Sequence, residues 1–137
     1  MTAAETTQTP YPVASPDTVT PDGLVTIDYA YRGRAIEITI TQPELTSVCP
    51  MTGLPDFGTV TIHYVPGDHI IELKSIKYYL LQYRNVGIFY EHLVNRILDD
   101  LVGVLSPRRM TVTGEFTARG GITTTVTAAY PEDNGVR

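Results

Sequence analysis

Cysteine occurs once in this chain, as Cys49. A single thiol cannot close an internal disulfide, so nothing points to an oxidising compartment. Basic residues are also few: ten lysines and arginines stand against fifteen acids, for a formal net charge of −5. A general nucleic-acid binder needs a basic patch, and this balance argues against one, though not against a single nucleotide-sized ligand. No run approaches the roughly 20 apolar residues of a membrane span. The start of the chain lacks the basic-then-apolar pattern of a secretory signal. The expectation is a soluble, cytoplasmic protein.

What is present suits one domain with a core: 137 residues, 42% of them hydrophobic. Residues 1–23 are rich in Thr, Pro and Ala without apolar periodicity, and read as a flexible N-terminal arm. Residues 24–131 read as the domain and 132–137 as a loose C-terminus. Residues 34–42 alternate, with Ile36, Ile38 and Ile40 on one face, and residues 57–65 do the same with Val60, Ile62 and Tyr64. From about Ile71 the period changes. Leu73, Ile76, Leu80 and Tyr83 predict an amphipathic helix to about Arg84, and Leu93, Ile97, Leu101 and Leu105 predict a second helix over 89–105. Residues 109–117 and 122–130 return to strand patterns, the latter with Ile122, Thr124, Val126 and Ala128 on one face, joined by Arg119-Gly120-Gly121. The order ββααββ predicts an α+β fold, an antiparallel sheet with two helices on one face. Its two open edges invite assembly into a closed β-barrel.

Residues 47–58, SVCPMTGLPDFG, carry the chemistry. Two prolines and two glycines predict a shaped loop that holds a thiol and a carboxylate together. Cys49 reads as a nucleophile and Asp56 as its proton-transfer partner; the plainer alternative is a buried cysteine and a turn-capping aspartate. Lys74, Lys77 and Arg84 fall on one side of the first helix, either a solvated basic face or a phosphate site. Glu91, at the start of the second helix, either caps a backbone donor or recognises a donor-rich ligand edge. His63, on the polar face of its strand, is given no role.

LTSVCPMTGLPDFGTV, then IELKSIKYYLLQYRN, then FYEHLVNRILDDL, closely resembles the NADPH-dependent 7-cyano-7-deazaguanine reductases in their short single-domain form. These are the QueF nitrile reductases of queuosine biosynthesis, with a tunnelling fold. The resemblance covers roughly residues 34–121. It implies that Cys49 adds to the nitrile carbon as a thioimide, that Asp56 is the general acid/base, and that Glu91 grips the guanine-like edge. It carries Tyr90, His92, Glu72 and Ser75 to the substrate side. Leu73, Lys74, Lys77, Arg119 and Gly120 go to the NADPH side, and no metal is implied. It further implies a homo-oligomer, two stacked pentamers with active sites between subunits, in which Cys49 and Glu91 need not come from one chain. The family usually has histidine where Tyr90 stands, with His92 following here. Some relatives carry a second cysteine near the helix, where this chain has Val94.

The chemistry agrees with the residues. A thiolate is the best side-chain nucleophile at neutral pH, and a nitrile needs its nitrogen protonated as the nucleophile adds. A glycine-rich dinucleotide fingerprint is missing, so a nicotinamide cofactor has to bind in another way. Two other readings compete. A cyclohydrolase-like enzyme of the same fold would want zinc, and Cys49, His63, His69 and His92 show no ligand spacing. A non-catalytic base-binding protein would not need Cys49 and Asp56 together.

Overall fold

The structure, a computed structural model, describes residues 12–132. The first eleven residues of the expected arm, and the expected loose C-terminus beyond Glu132, lie outside the described residues. The elements are β1 (Thr26–Asp28), β2 (Ile38–Val48), β3 (Pro55–Val65), β4 (His69–Ile71), α1 (Leu73–Leu81), α2 (Tyr90–Leu105), β5 (Arg109–Arg119) and β6 (Ile122–Tyr130), with short 3-10 turns at Pro16–Thr18 and Gln82–Asn85. The main sheet is antiparallel in the order β2-β3-β5-β6, and both helices cover one of its faces. β1 and β4 pair separately as a second, two-stranded sheet.

Alternation decides which face is which. On β3, Val60, Ile62 and Tyr64 are buried, and on β5 Met110, Val112 and Phe116 are buried. These side chains meet Leu93, Ile97, Leu101 and Leu105 of α2 and Ile76 and Leu80 of α1 in a single core. The i, i+4 stripe of α2 is therefore real packing. α2 ends where Ser106 turns left-handed at φ 46°, and Pro107 follows.

Three expectations about strands and one about a helix need correction. β2 does not stop at Gln42 but runs on to Val48, with its register slipping between Gln42 and Leu45 around Pro43. Proline lacks a ladder donor, and a bulge on an edge strand is where the sheet tolerates it. β3 starts at Pro55, so Asp56 is not in the loop; it sits on a strand and pairs with Ser47. Leu73 is not part of the helix's buried stripe. As the first residue of α1 it has no core beneath it and is 63% exposed. Ile122 is likewise exposed: it opens β6 straight after the Gly120-Gly121 turn, where residues 117–123 are all exposed.

Residues 12–23, expected to belong to a mobile arm, are packed against the domain. Val19 is buried in the core. Gln82 brackets Thr20, its Oε1 accepting from the backbone N–H at 3.0 Å and its Nε2 donating to the carbonyl at 2.8 Å. Arg96 donates to the carbonyls of Val19 and Pro16 while its Nε pairs with Asp100 at 2.9 Å. Further along, residues 86–88 form parallel bridges on both sides, Val86 with Ala14 and Gly87 with Val48. The start of the described chain is thereby coupled to the end of β2, one residue before Cys49.

Candidate active site

β2 and β3 form a hairpin whose turn holds Cys49. The Cys49 N–H donates to the Leu54 carbonyl at 2.9 Å, and the Gly53 N–H donates back to the Cys49 carbonyl at 2.8 Å. Gly53 takes φ 73°, which a residue with a Cβ rarely adopts. The turn is closed by its own backbone, so the thiol is held at a fixed place above the end of the sheet.

Asp56 is on the same face of β3 as the core residues Val60, Ile62 and Tyr64, and only 5% exposed. A carboxylate on a core face needs a cationic or hydrogen-bonding partner. Arg119 supplies it: Nη2 lies 3.2 Å from Asp56 Oδ1, an ion pair whose angle leaves the oxygen short of a full hydrogen bond. Arg119 gets there because Gly58 pairs with Phe116, which sets the end of β5 beside the start of β3. After it, Gly120 and Gly121 take φ 58° and 84° and turn the chain into β6.

The thiol is tuned. Burial pushes Cys49 up, but the Thr52 hydroxyl, the backbone N–H groups of Met51 and Thr52 and the Arg119 guanidinium outweigh it, lowering the thiol to about 7. Arg119 responds to the same contact: the hydrogen bond to Cys49 is the main reason its own pKa is raised. One guanidinium thus serves both the sulfur and the carboxylate.

Tyr90, the first residue of α2, completes the group. Its ring stacks on Phe116 at 3.8 Å between centroids and 9° between planes. Burial first, then Asp56, pushes its hydroxyl up to about 12. Glu91 follows in the exposed first turn. Phe89 is the N-cap residue without a side-chain cap, so Glu91 does not play the capping part. Among the described residues its carboxylate has no hydrogen bond or ion pair. His92 is exposed and meets Phe89 edge-on at 6.0 Å.

The remaining expected residues lie at the start of α1. Glu72 is its N-cap, accepting from the N–H groups of Lys74 at 2.6 Å and Ser75 at 3.0 Å. The buried Ser75 hydroxyl donates to the Glu72 carbonyl and accepts from the Val25 N–H. Their polar atoms are engaged in holding α1 and the segment before β1. Lys74 and Lys77 are exposed, Lys77 Nζ lying 5.6 Å above the Tyr78 ring, and neither forms an ion pair among the described residues. They share no hydrogen bond or ion pair with the Cys49 group.

Two participants escaped the sequence reading. Thr52 follows Cys49 at the spacing of one tight turn, where a hydroxyl can point back at the thiol. Phe116 continues the alternation Met110, Val112, Gly114, which places it on the inner face. Among the described residues no three His, Cys, Asp or Glu side chains gather as a metal site, and no helix is long and apolar enough to cross a membrane.

Known proteins are similar to this chain in sequence and in fold. A family model described as QueF-like protein matches residues 55–135, a span that holds Asp56, Tyr90, Glu91 and Arg119 and begins just after Cys49. A protein of Chlorobium phaeovibrioides named NADPH-dependent 7-cyano-7-deazaguanine reductase is 60% identical over 107 residues, 78% of this chain and 92% of its own length. One of Chlorobaculum tepidum with the same name is 63% identical over 103 residues, 75% of this chain and 88% of its own. A solved structure of the archaeosine synthase QueF-Like in its apo form is 22% identical with a TM-score of 0.61, covering 69% of this chain and 91% of that one, and shares its fold. The chain thus has a tunnelling fold, and it belongs to the family of QueF-like proteins.

Proposed function

We propose that this chain is an NADPH-dependent reductase that converts the nitrile of 7-cyano-7-deazaguanine to an aminomethyl group, a step in making the queuosine of tRNA. The observation that carries this reading is the Cys49 thiol, lowered to about 7 beside the Asp56–Arg119 pair. Near neutral pH a large share of Cys49 is thiolate, the form that attacks carbon. Asp56 moves the proton that the nitrile nitrogen must receive as the carbon–sulfur bond forms. The resulting thioimide stays tethered, so it cannot leave and hydrolyse before it is reduced. Glu91, a carboxylate unpaired among the described residues, accepts hydrogen bonds from the amino and ring N–H groups of the base. Two charge-assisted hydrogen bonds of this kind discriminate against bases that lack those donors. Tyr90 borders the same space, with His92 one turn position further out. Glu72 and Ser75 contribute by fixing the start of α1.

NADPH supplies, when bound, the hydride equivalents that take the nitrile to the primary amine. Lys74 and Lys77 fit its phosphates, being exposed cations without acidic partners among the described residues, and Leu73 and Gly120 offer exposed surface beside the two groups. Arg119 belongs to the nucleophile as much as to the cofactor, given its place between Cys49 and Asp56. The edges of β2 and β6, where the sheet ends among the described residues, support a ring-forming homo-oligomer, for which two stacked pentamers are the family-like arrangement. A cytoplasmic setting fits a chain with one reactive thiol and no disulfide.

The test is NADPH consumption with and without 7-cyano-7-deazaguanine, beside mass spectrometry of protein plus nitrile. Wild type should consume NADPH only when the nitrile is present and should form a Cys49 adduct without NADPH; Cys49→Ala should do neither. A wild type that leaves NADPH untouched in the presence of the nitrile would sink the reading.

A further inference from the structure

Two buried oxygens beside Cys49 lack a partner in full hydrogen-bond geometry among the described residues: Asp56 Oδ1 and the Tyr90 hydroxyl. Leaving a buried polar atom unpaired costs about 1–3 kcal/mol, so each such atom calls for an explanation. The placement of this pair is built into the sheet. Phe116 lies on the inner face of β5, in space that two glycines leave open. A Cβ on Gly58 would stand 2.7 Å from Phe116 Cδ1, and one on Gly114 would stand 2.8 Å from its Cε2. Tyr90 stacks flat on that seated ring. The stack fixes the phenol's plane and keeps its hydroxyl at Asp56. Burial and Asp56 push the Tyr90 hydroxyl up and Arg119 pulls it only partly back, to about 12, with Cys49 also facing it. The phenol therefore keeps its proton at any working pH. It is a permanent hydrogen-bond donor.

We propose that the Tyr90 hydroxyl is a catalytic donor that holds the nitrile nitrogen opposite Asp56 while Cys49 adds, and that Phe116, seated between Gly58 and Gly114, positions it. The inference rests on the nitrile-reductase reading. In the addition a bond forms between Cys49 Sγ and the nitrile carbon, and one π bond of the C≡N group breaks. The thiol proton passes by way of Asp56 to nitrogen, leaving a neutral C=N–H group. Negative charge gathers on nitrogen as the sulfur–carbon bond forms. Asp56 delivers a proton to one side of that atom, while a donor that keeps its own proton steadies the other. Both orphaned oxygens gain their missing partner from the same substrate atom.

The experiment follows Cys49 adduct formation with 7-cyano-7-deazaguanine by mass spectrometry in the absence of NADPH, and separately the alkylation of Cys49 by iodoacetamide. Tyr90→Phe keeps the stack and loses the hydroxyl. It should slow adduct formation by about 10²-fold, the scale for removing one such donor, and leave alkylation unchanged, because iodoacetamide has no nitrile nitrogen to hold. Phe116→Leu keeps every polar group and loses the stack, and should slow adduct formation in the same selective way. The pH profile of Tyr90→Phe should keep its shape and fall only in height. Adduct formation at the wild-type rate in Tyr90→Phe overturns the inference. So does an equal slowing of adduct formation and alkylation, which would place the hydroxyl's effect on the thiol. A wild type that forms no adduct overturns the parent reading and this inference with it.

Discussion

Arg119 Nη2 stands 3.2 Å from Asp56 Oδ1, and the same guanidinium helps to lower the pKa of the Cys49 thiol. A thiolate and a carboxylate side by side would repel, and each would be driven toward its neutral form. The Arg119 guanidinium offsets this repulsion at the sulfur, where it helps to lower the thiol to about 7 and so favours the thiolate that attacks carbon.

Removing that cation should weaken the nucleophile. For Arg119→Gln the Cys49 thiolate loses a donor and a neighbouring charge, so its pKa rises from about 7 toward the usual value of about 8.5. Iodoacetamide alkylation against pH reads this directly. The wild-type rate should be half-maximal near pH 7, and the variant's midpoint should lie higher, with several-fold slower alkylation at neutral pH. Thr52 and the backbone donors remain, so the shift stops short of the full difference. An unmoved midpoint would mean that Arg119 serves Asp56 alone.

Asp56→Asn preserves shape and strand position but cannot exchange a proton at a useful pKa. Base binding should persist while turnover falls by about 10²–10⁴-fold, the usual contribution of general acid–base assistance. Binding is checked by calorimetry and turnover by NADPH consumption. Normal turnover would reduce Asp56 to a partner for Arg119.

Lys74→Ala and Lys77→Ala should raise the KM for NADPH and leave Cys49 adduct formation at the wild-type rate, since neither lysine touches the Cys49 group. Slower adduct formation in both would place them on the substrate side instead.

Subunit mixing separates the two halves of the site. Cys49 meets Arg119, Arg119 meets Asp56, and Asp56 faces Tyr90, all within one chain. The expectation is that Glu91, the next residue, serves the pocket of its own chain rather than a neighbour's. Reassembled mixtures of Cys49→Ala and Glu91→Ala should stay inactive. Mixtures of Cys49→Ala with the Lys74→Ala/Lys77→Ala double variant should recover activity if the cofactor is held across the subunit boundary. Recovery in the first mixture would place Glu91 in a neighbour's pocket.

Gly58→Ala would bring a Cβ to 2.7 Å from Phe116 Cδ1 and 2.9 Å from the Glu115 carbonyl oxygen. The backbone oxygen cannot give way cheaply, so overpacking of about 1–3 kcal/mol is expected. Thermal unfolding measures the loss. A melting temperature equal to wild type would show that the slot can relax.

The sequence made the helices and the inner strands legible because their apolar periods run unbroken: Leu93 to Leu105 on α2, Val60 to Tyr64 on β3. It hid the place of Asp56, because Pro55 and Gly58 read as breakers around it. In fact Asp56, Gly58 and Val60 share one parity, and the alternation simply reaches a carboxylate. Leu73 misled for the opposite reason, as an apolar residue at a helix start with no core below it. The packing of residues 12–23 had no local signal at all, since its partners, Gln82 and Arg96, lie on other elements. Cys49 and Asp56 could be singled out as a pair; that Arg119 and Tyr90 complete it depends on how β5 and α2 converge there.

The parity of β3 also limits how such chains can diverge. Side chains on a strand alternate, so inserting or deleting one residue between Asp56 and Val60 would either turn the acid outward or expel the core residues beyond it. The Cys49 turn can be redrawn among homologous sequences, provided it returns the thiol to the same spot. The stretch from Asp56 to Val60 can change length by one only if a bulge absorbs the change, as the one around Pro43 does on β2. In a sequence where that interval has gained or lost a single residue without such a bulge, the aspartate is expected to face away from the cysteine even though both are present.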